Sequence, residues 1–106
     1  MRILFDQGTP VPLRRHLHPH SVDTAAELGW SELSNGELIA TAENQGYELL
    51  ITTDQNLRYQ QNLSERRIAI LVLTTTSWPR INRGVDKVIG ALALLKATDF
   101  IEISFE

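Results

Sequence analysis

The chain contains no cysteine. Disulfides and thiolate metal sites are therefore excluded, and any metal must be held by oxygen or imidazole. Long apolar runs are also missing. The longest, Ile68 to Leu73 and Ala91 to Leu95, fall far short of the roughly 20 residues that span a bilayer. No excess of positive charge is present: 10 Lys and Arg stand against 13 Asp and Glu, a net charge of −3. A dedicated duplex-binding module is normally basic. A nucleic-acid enzyme stays open, because an acidic metal site adds negative charge that a divalent cation cancels locally. The opening Arg2-Ile3-Leu4-Phe5 shows no signal-peptide pattern. The expectation is a soluble cytoplasmic protein without a membrane segment.

What is present fits one domain, residues 1–106. Hydrophobic residues make up 42% of the chain, enough for a real core. Met1 to Phe5 is a short apolar run ending at Asp6 and bounded by Gln7-Gly8-Thr9-Pro10, which reads as a buried strand and a turn. Thr9 and Pro10 read as N-cap and first residue of a helix to Leu17, with Val11, Leu13 and Leu17 inward. Ser21 to Thr24 is a short strand, and Ala25 to Leu28 a helical turn closed by Gly29. Ser34-Asn35-Gly36-Glu37 matches the capping box S-x-x-E. The helix it opens carries Leu38, Ile39 and Ala42, and Gly46 closes it.

Tyr47 to Thr52 and Ile68 to Leu73 are near-continuous apolar strands, suited to a parallel sheet covered on both faces. Asn56 to Leu63 reads as a polar helical piece and Thr74 to Pro79 as a loop. Asn82 caps a last helix, Arg83 to Lys96, with Val85, Val88, Ile89, Leu92 and Leu95 in one stripe. Phe100 to Phe105 alternates apolar and polar residues, as an edge strand does. Strands and helices alternate throughout. The fold class is α/β: a three-layer sandwich with a mostly parallel sheet of about four or five strands flanked by helices.

Open parallel sheets bind ligands beyond the carboxyl ends of their strands, where strand order reverses. Asp6 and Asp54 each follow an apolar strand, and Glu37 opens a helix entering the same region. Three gathered carboxylates raise one another's pKa unless a cation lies between them. Oxygen ligands of this kind suit Mg²⁺ or Mn²⁺. Each acid also has a plain reading: Glu37 in its capping box, Asp54 as a cap for the next turn, Asp6 as a brace for the Gly8 turn. His16, His18 and His20 read as a solvent-facing helix end, because Pro19 breaks the helix that a metal pair would need. Phosphate-loop, dinucleotide and serine-hydrolase motifs are lacking.

Three segments in order carry a resemblance. They are Phe5-Asp6-Gln7-Gly8-Thr9-Pro10, then Ser34-Asn35-Gly36-Glu37-Leu38, then Leu50-Ile51-Thr52-Thr53-Asp54-Gln55-Asn56-Leu57 with its continuation to Leu63. With Thr75-Thr76-Ser77-Trp78-Pro79, they make nearly the whole chain resemble the bacterial PIN-like proteins. That resemblance implies a Mg²⁺- or Mn²⁺-dependent ribonuclease, often the toxin of a toxin–antitoxin pair and often a homodimer. Asp6, Glu37 and Asp54 match its acidic positions, with Asn35, Asn56 and Thr52 as further polar donors. Arg14, Arg15, Arg58 and Tyr59 would meet single-stranded RNA. The chain departs from the pattern at Asn35 and Asn56, where aspartates are frequent, and at Gln7, where glutamate is common. Fewer charges should hold Mg²⁺ more weakly, which favours a non-catalytic binding module as the alternative. A phosphate-acceptor domain fits less well, since Thr74-Thr75-Thr76 stands where its lysine is expected.

Overall fold

The structure is a computed structural model that describes residues 1–57 and 66–105. Five strands form one sheet: β1 (Arg2–Phe5), β2 (Ser21–Thr24), β3 (Leu49–Thr52), β4 (Ala69–Leu73) and β5 (Phe100–Ile103). Their order is β2-β1-β3-β4-β5, and every neighbouring pair is parallel. The sheet is thus wholly parallel among the described residues, with β5 at its edge as its alternating pattern predicts.

The reason lies in the strand sequences. Successive side chains of a strand point to opposite faces. Ile3, Phe5, Leu49, Ile51, Leu71 and Leu73 fall on one face, and Leu4, Leu50, Ile70 and Val72 on the other. Both faces are apolar, so both must be covered. The first is covered by a 3₁₀ segment (Val11–Leu17) and two helices, α2 (Trp78–Arg83) and α3 (Val85–Leu94). These contribute Leu13, Leu17, Ile81, Val88 and Leu92 to that core. The second is covered by α1 (Asn35–Asn44), through Leu38, Ile39 and Ala42, together with Leu57 and Ile68. The outcome is a sheet with a helical layer on each side. Among the described residues no helix is long and apolar enough to cross a membrane.

The capping box forms as the sequence predicts. Glu37 N–H donates to Ser34 Oγ at 3.3 Å, and Ser34 N–H donates to Glu37 Oε1 at 3.0 Å. Other expectations change. Val11 is 54% exposed rather than inward. Pro10, not Thr9, occupies the cap of the first helical segment, and that segment is 3₁₀ rather than α. Thr9 is buried instead, its hydroxyl turned toward the sheet edge.

The expected loop before Pro79 is cut short. Ser77 Oγ accepts from Arg80 N–H at 3.4 Å, so α2 already starts at Trp78. A hydroxyl N-cap followed by an early proline is itself a helix start. Asn82 lies inside α2 rather than capping its successor, and the break comes at Gly84. A Cβ on Gly84 would lie 2.7 Å from Phe105 Cδ1. The missing side chain is what lets the tail after β5 pack against the helix junction. Within α3, Val88 and Leu92 are buried as expected, whereas Ile89 is 44% exposed. The expected helix Asn56 to Leu63 falls almost entirely outside the described residues.

Candidate acidic site at the switch point of the sheet

Strand order reverses between β1 and β3: β2 lies on one side of β1, and β3 to β5 continue on the other. Phe5 pairs with Ile51 in register, and the Asp6 N–H donates to the Ile51 carbonyl at 3.1 Å. Asp6 therefore leaves β1 at the same edge where Asp54 follows the end of β3. Both side chains are partly buried.

Threonines tie the two together. Asp6 Oδ1 lies 2.9 Å from Thr9 Oγ1, which also lies 2.8 Å from the Ile51 carbonyl. The single Thr9 proton serves one of these acceptors at a time. Asp6 Oδ2 accepts a hydrogen bond from Thr52 Oγ1. That same Thr52 oxygen accepts from Asp54 N–H at 3.1 Å. Thr52 is 1% exposed, so its hydroxyl is a buried link from the backbone of one acid to the carboxylate of the other. Asp54 Oδ2 accepts from Asn35 Nδ2 at 2.8 Å, and Asp54 Oδ1 accepts from Asn56 N–H at 2.9 Å. The second bond is an Asx turn, a local closure favoured by aspartate. Gly8 completes the edge. A Cβ there would collide with Thr53 Oγ1, so only glycine lets the turn after β1 press against the end of β3.

Electrostatics differ across the group. Burial pushes the Asp6 carboxyl above its ordinary value. The hydroxyls of Thr52 and Thr9 and the Gly8 N–H pull it back down, and the negative charge of Asp54 adds to the rise. Asp6 is thus a carboxylate whose surroundings replace water incompletely. Beside it lies a cleft of about 130 Å³ lined by Gln7, Gly8, Trp30 and Asn35 among others.

Glu37 is placed differently. It is exposed, and the Ser34 N–H and hydroxyl hold its carboxyl below the usual range. From the capping-box segment it is Asn35, not Glu37, that reaches Asp54. Among the described residues no three carboxylate or imidazole side chains gather as a metal-binding group. Glutamine also closes a capping box. Glu37→Gln keeps the capping box but loses a charge that the folded state favours, so it is expected to lower the thermal midpoint only slightly and to leave any metal-dependent cleavage within about twofold. A tenfold loss of cleavage at a near-wild-type midpoint would return Glu37 to the ion.

The basic residues also sort themselves. Arg14 forms a two-pronged pair with Glu27, at 2.7 and 3.2 Å, and holds the Glu27 carboxyl low. Its guanidinium is engaged there rather than offered to a ligand. Arg15 is exposed on the 3₁₀ segment. Arg58 and Tyr59 lie outside the described residues. Asn56 meets Asp54 through its backbone. The histidines do not converge: His16 lies against the Trp78 ring at 5.5 Å, His18 is exposed, and His20 Nδ1 is 3.3 Å from the Met1 amino group. Thr9 is the site residue that sequence reasoning assigned to a helix end. Its only signal was a hydroxyl three residues after Asp6.

Two carboxylates suit Mg²⁺ or Mn²⁺. Magnesium is usually bound by one or two carboxylates, with water and substrate phosphate completing the shell. The hydroxyl and amide donors behind Asp6 and Asp54 orient both carboxylates, as outer partners do at metal sites. Fold and site together define an open, doubly wound α/β domain with an acidic pair at its switch point. No family model, curated protein or solved structure matches the chain. The order β2-β1-β3-β4-β5 is common to several doubly wound proteins and does not single out one of them.

Proposed function

We propose that this chain is a Mg²⁺- or Mn²⁺-dependent ribonuclease of PIN-like type, acting on single-stranded RNA as the toxin of a toxin–antitoxin pair. The observation that supports this reading best is the meeting of Asp6 and Asp54 on adjacent strand ends, linked by the buried Thr52 hydroxyl. Asp6 and Asp54 would hold the ion, with the Asn35 amide beside them. When bound, the ion lowers the pKa of a water and offsets charge on the phosphodiester. Water adds to phosphorus as the bond to the leaving sugar oxygen breaks, and the proton ends on that oxygen. Thr52 and Thr9 fix the rotamer of Asp6, and Asn35 fixes that of Asp54. A raised Asp6 pKa means that cation binding displaces a proton, so affinity rises with pH through the Asp6 titration.

The test is incubation of the full chain with end-labelled single-stranded RNA. Cleavage should appear with Mn²⁺ and vanish with EDTA. A cognate partner would suppress it. A second reading is favoured by one observation: Asn35 donates its amide into Asp54, where a further acid would have sharpened the ion site. On that reading the chain is a binding module that kept the fold. Calorimetry decides between them. A one-site Mn²⁺ isotherm lost in Asp54→Asn supports the enzyme, and RNA binding without metal binding or cleavage supports the module.

A further inference from the structure

The carboxyl edge of the sheet has a second concavity, which the acidic pair does not use. A cleft of about 290 Å³ is lined by Gln55, Thr74, Thr75, Arg80, Ser104 and Phe105. Gln55 directly follows Asp54, Thr74 follows β4, and Ser104 follows β5. The cleft therefore continues the edge on which Asp54 lies. A neighbouring hollow of about 240 Å³ shares Arg80 and Phe105 and adds Arg83 and Lys87.

Its chemistry is cationic. Arg80, Arg83 and Lys87 are all exposed. Among the described residues, the guanidinium groups of Arg80 and Arg83 make no hydrogen bond or ion pair. Among the described residues no acidic side chain lines either hollow. Lys87 Nζ donates to the Ser104 carbonyl at 2.8 Å, and Gln55 Nε2 to the Thr74 carbonyl at 3.0 Å. These bonds tie the walls together. Thr75 Oγ1 already accepts from Ser77 N–H at 3.1 Å, which leaves its proton for an outside acceptor. Three cations gathered around adjoining hollows repel one another. An anion relieves that repulsion. Two free guanidinium forks match phosphate oxygens. The two hollows run on from one another, so they suit a chain of phosphates better than a single one.

We infer that the Arg80–Arg83–Lys87 hollow seats the sugar–phosphate backbone of a single-stranded nucleic acid, on the side of the sheet edge next to Asp54. That the strand is RNA and is cut at the acidic pair rests on the reading above; the seat itself does not. The test is fluorescence anisotropy of a labelled oligouridylate in EDTA, where neither metal binding nor cleavage contributes. Arg80→Gln with Arg83→Gln should weaken binding at least tenfold. The slope of log affinity against log salt should fall by about 0.7 for each arginine removed, the value for single strands. Arg80→Lys with Arg83→Lys keeps the charge and loses the forks, so it should keep the wild-type salt slope and bind with an affinity between those of wild type and the glutamine variant. Both arginines are exposed, and matching thermal midpoints will show the fold intact.

Unchanged binding in the glutamine double variant overturns the inference, as does a wild type that binds no oligonucleotide. Equal competition by inorganic phosphate and by strand phosphate, mole for mole, also overturns it and leaves a small-anion pocket. The two proposals fail separately. Arginine-dependent binding without Mn²⁺ cleavage removes the nuclease and keeps the seat. Cleavage and binding that ignore Arg80 and Arg83 remove the seat and keep the nuclease.

Discussion

Asp6→Asn is expected to abolish Mn²⁺-stimulated RNA cleavage, by at least about 100-fold, while making the protein more stable at neutral pH. The two effects have one cause. Burial and the charge of Asp54 disfavour ionised Asp6, and the donors from Thr52, Thr9 and Gly8 offset this only in part. A neutral amide removes the charge and keeps an oxygen for one threonine hydroxyl. The gain should be about 1 kcal/mol, the usual size for relieving one functional compromise, or a few degrees in thermal midpoint.

The pH dependence has a definite sign. The folded pKa of Asp6 lies above its unfolded value, so the folded state binds the proton more tightly. The wild type thus loses stability as pH rises from the ordinary carboxylate pKa to the folded one. Below that window Asp6 is protonated in both states, and the advantage of Asp6→Asn should disappear. Urea titrations at acid and neutral pH measure this directly. An asparagine variant that is less stable than wild type at pH 7 would show that the hydrogen bonds outweigh burial. Asp54→Asn should lose cleavage to a similar extent, because it removes the second carboxylate of the pair.

The other large effect concerns Phe5. This side chain is wholly buried and immediately precedes Asp6. It packs in the core that joins the sheet to the 3₁₀ segment, α2 and α3. Phe5→Ala removes the ring and leaves a cavity, at a cost of about 3–5 kcal/mol. Domains have only about 5–15 kcal/mol in total. The urea midpoint should therefore fall steeply, and part of the population should be unfolded at 37 °C. Cleavage should fall as well, because Phe5 pairs with Ile51 and packs in the same core at the edge where the two acids lie. A loss below about 1.5 kcal/mol would mean that the core collapses to fill the gap.

Much of the fold was legible because strand and helix periods differ. Ile3-Leu4-Phe5 and Leu49-Leu50-Ile51 are apolar on both faces, which predicts buried parallel strands whatever their neighbours. The serine and glutamate of α1 are three residues apart, so their capping box is a local event and was read correctly. Asp6 and Asp54 were legible for the same reason, as acids ending apolar runs. Errors arose where one residue has two local uses. Thr9 before Pro10 fits a helix cap as well as a brace for Asp6, and only the nearness of Ile51 decides between them. Ser77-Trp78-Pro79 fits a loop or a helix start. Gly84 interrupts the last helix, and Phe105, distant in sequence, takes up the room that its missing Cβ leaves.

The sequence alone determined an α/β alternation, a sheet covered on both faces, a capped α1 and two acids at strand ends. Local spacing and periodicity suffice for these, since each depends on residues a few positions apart. Only the tertiary structure decided that β1 and β3 are neighbours, that Asn35 rather than Glu37 meets Asp54, and that Arg14 is held by Glu27 while Arg80 and Arg83 have no such partner among the described residues. Those outcomes depend on pairing between distant segments, and a side chain's partner is fixed by the packing that brings it within hydrogen-bond reach.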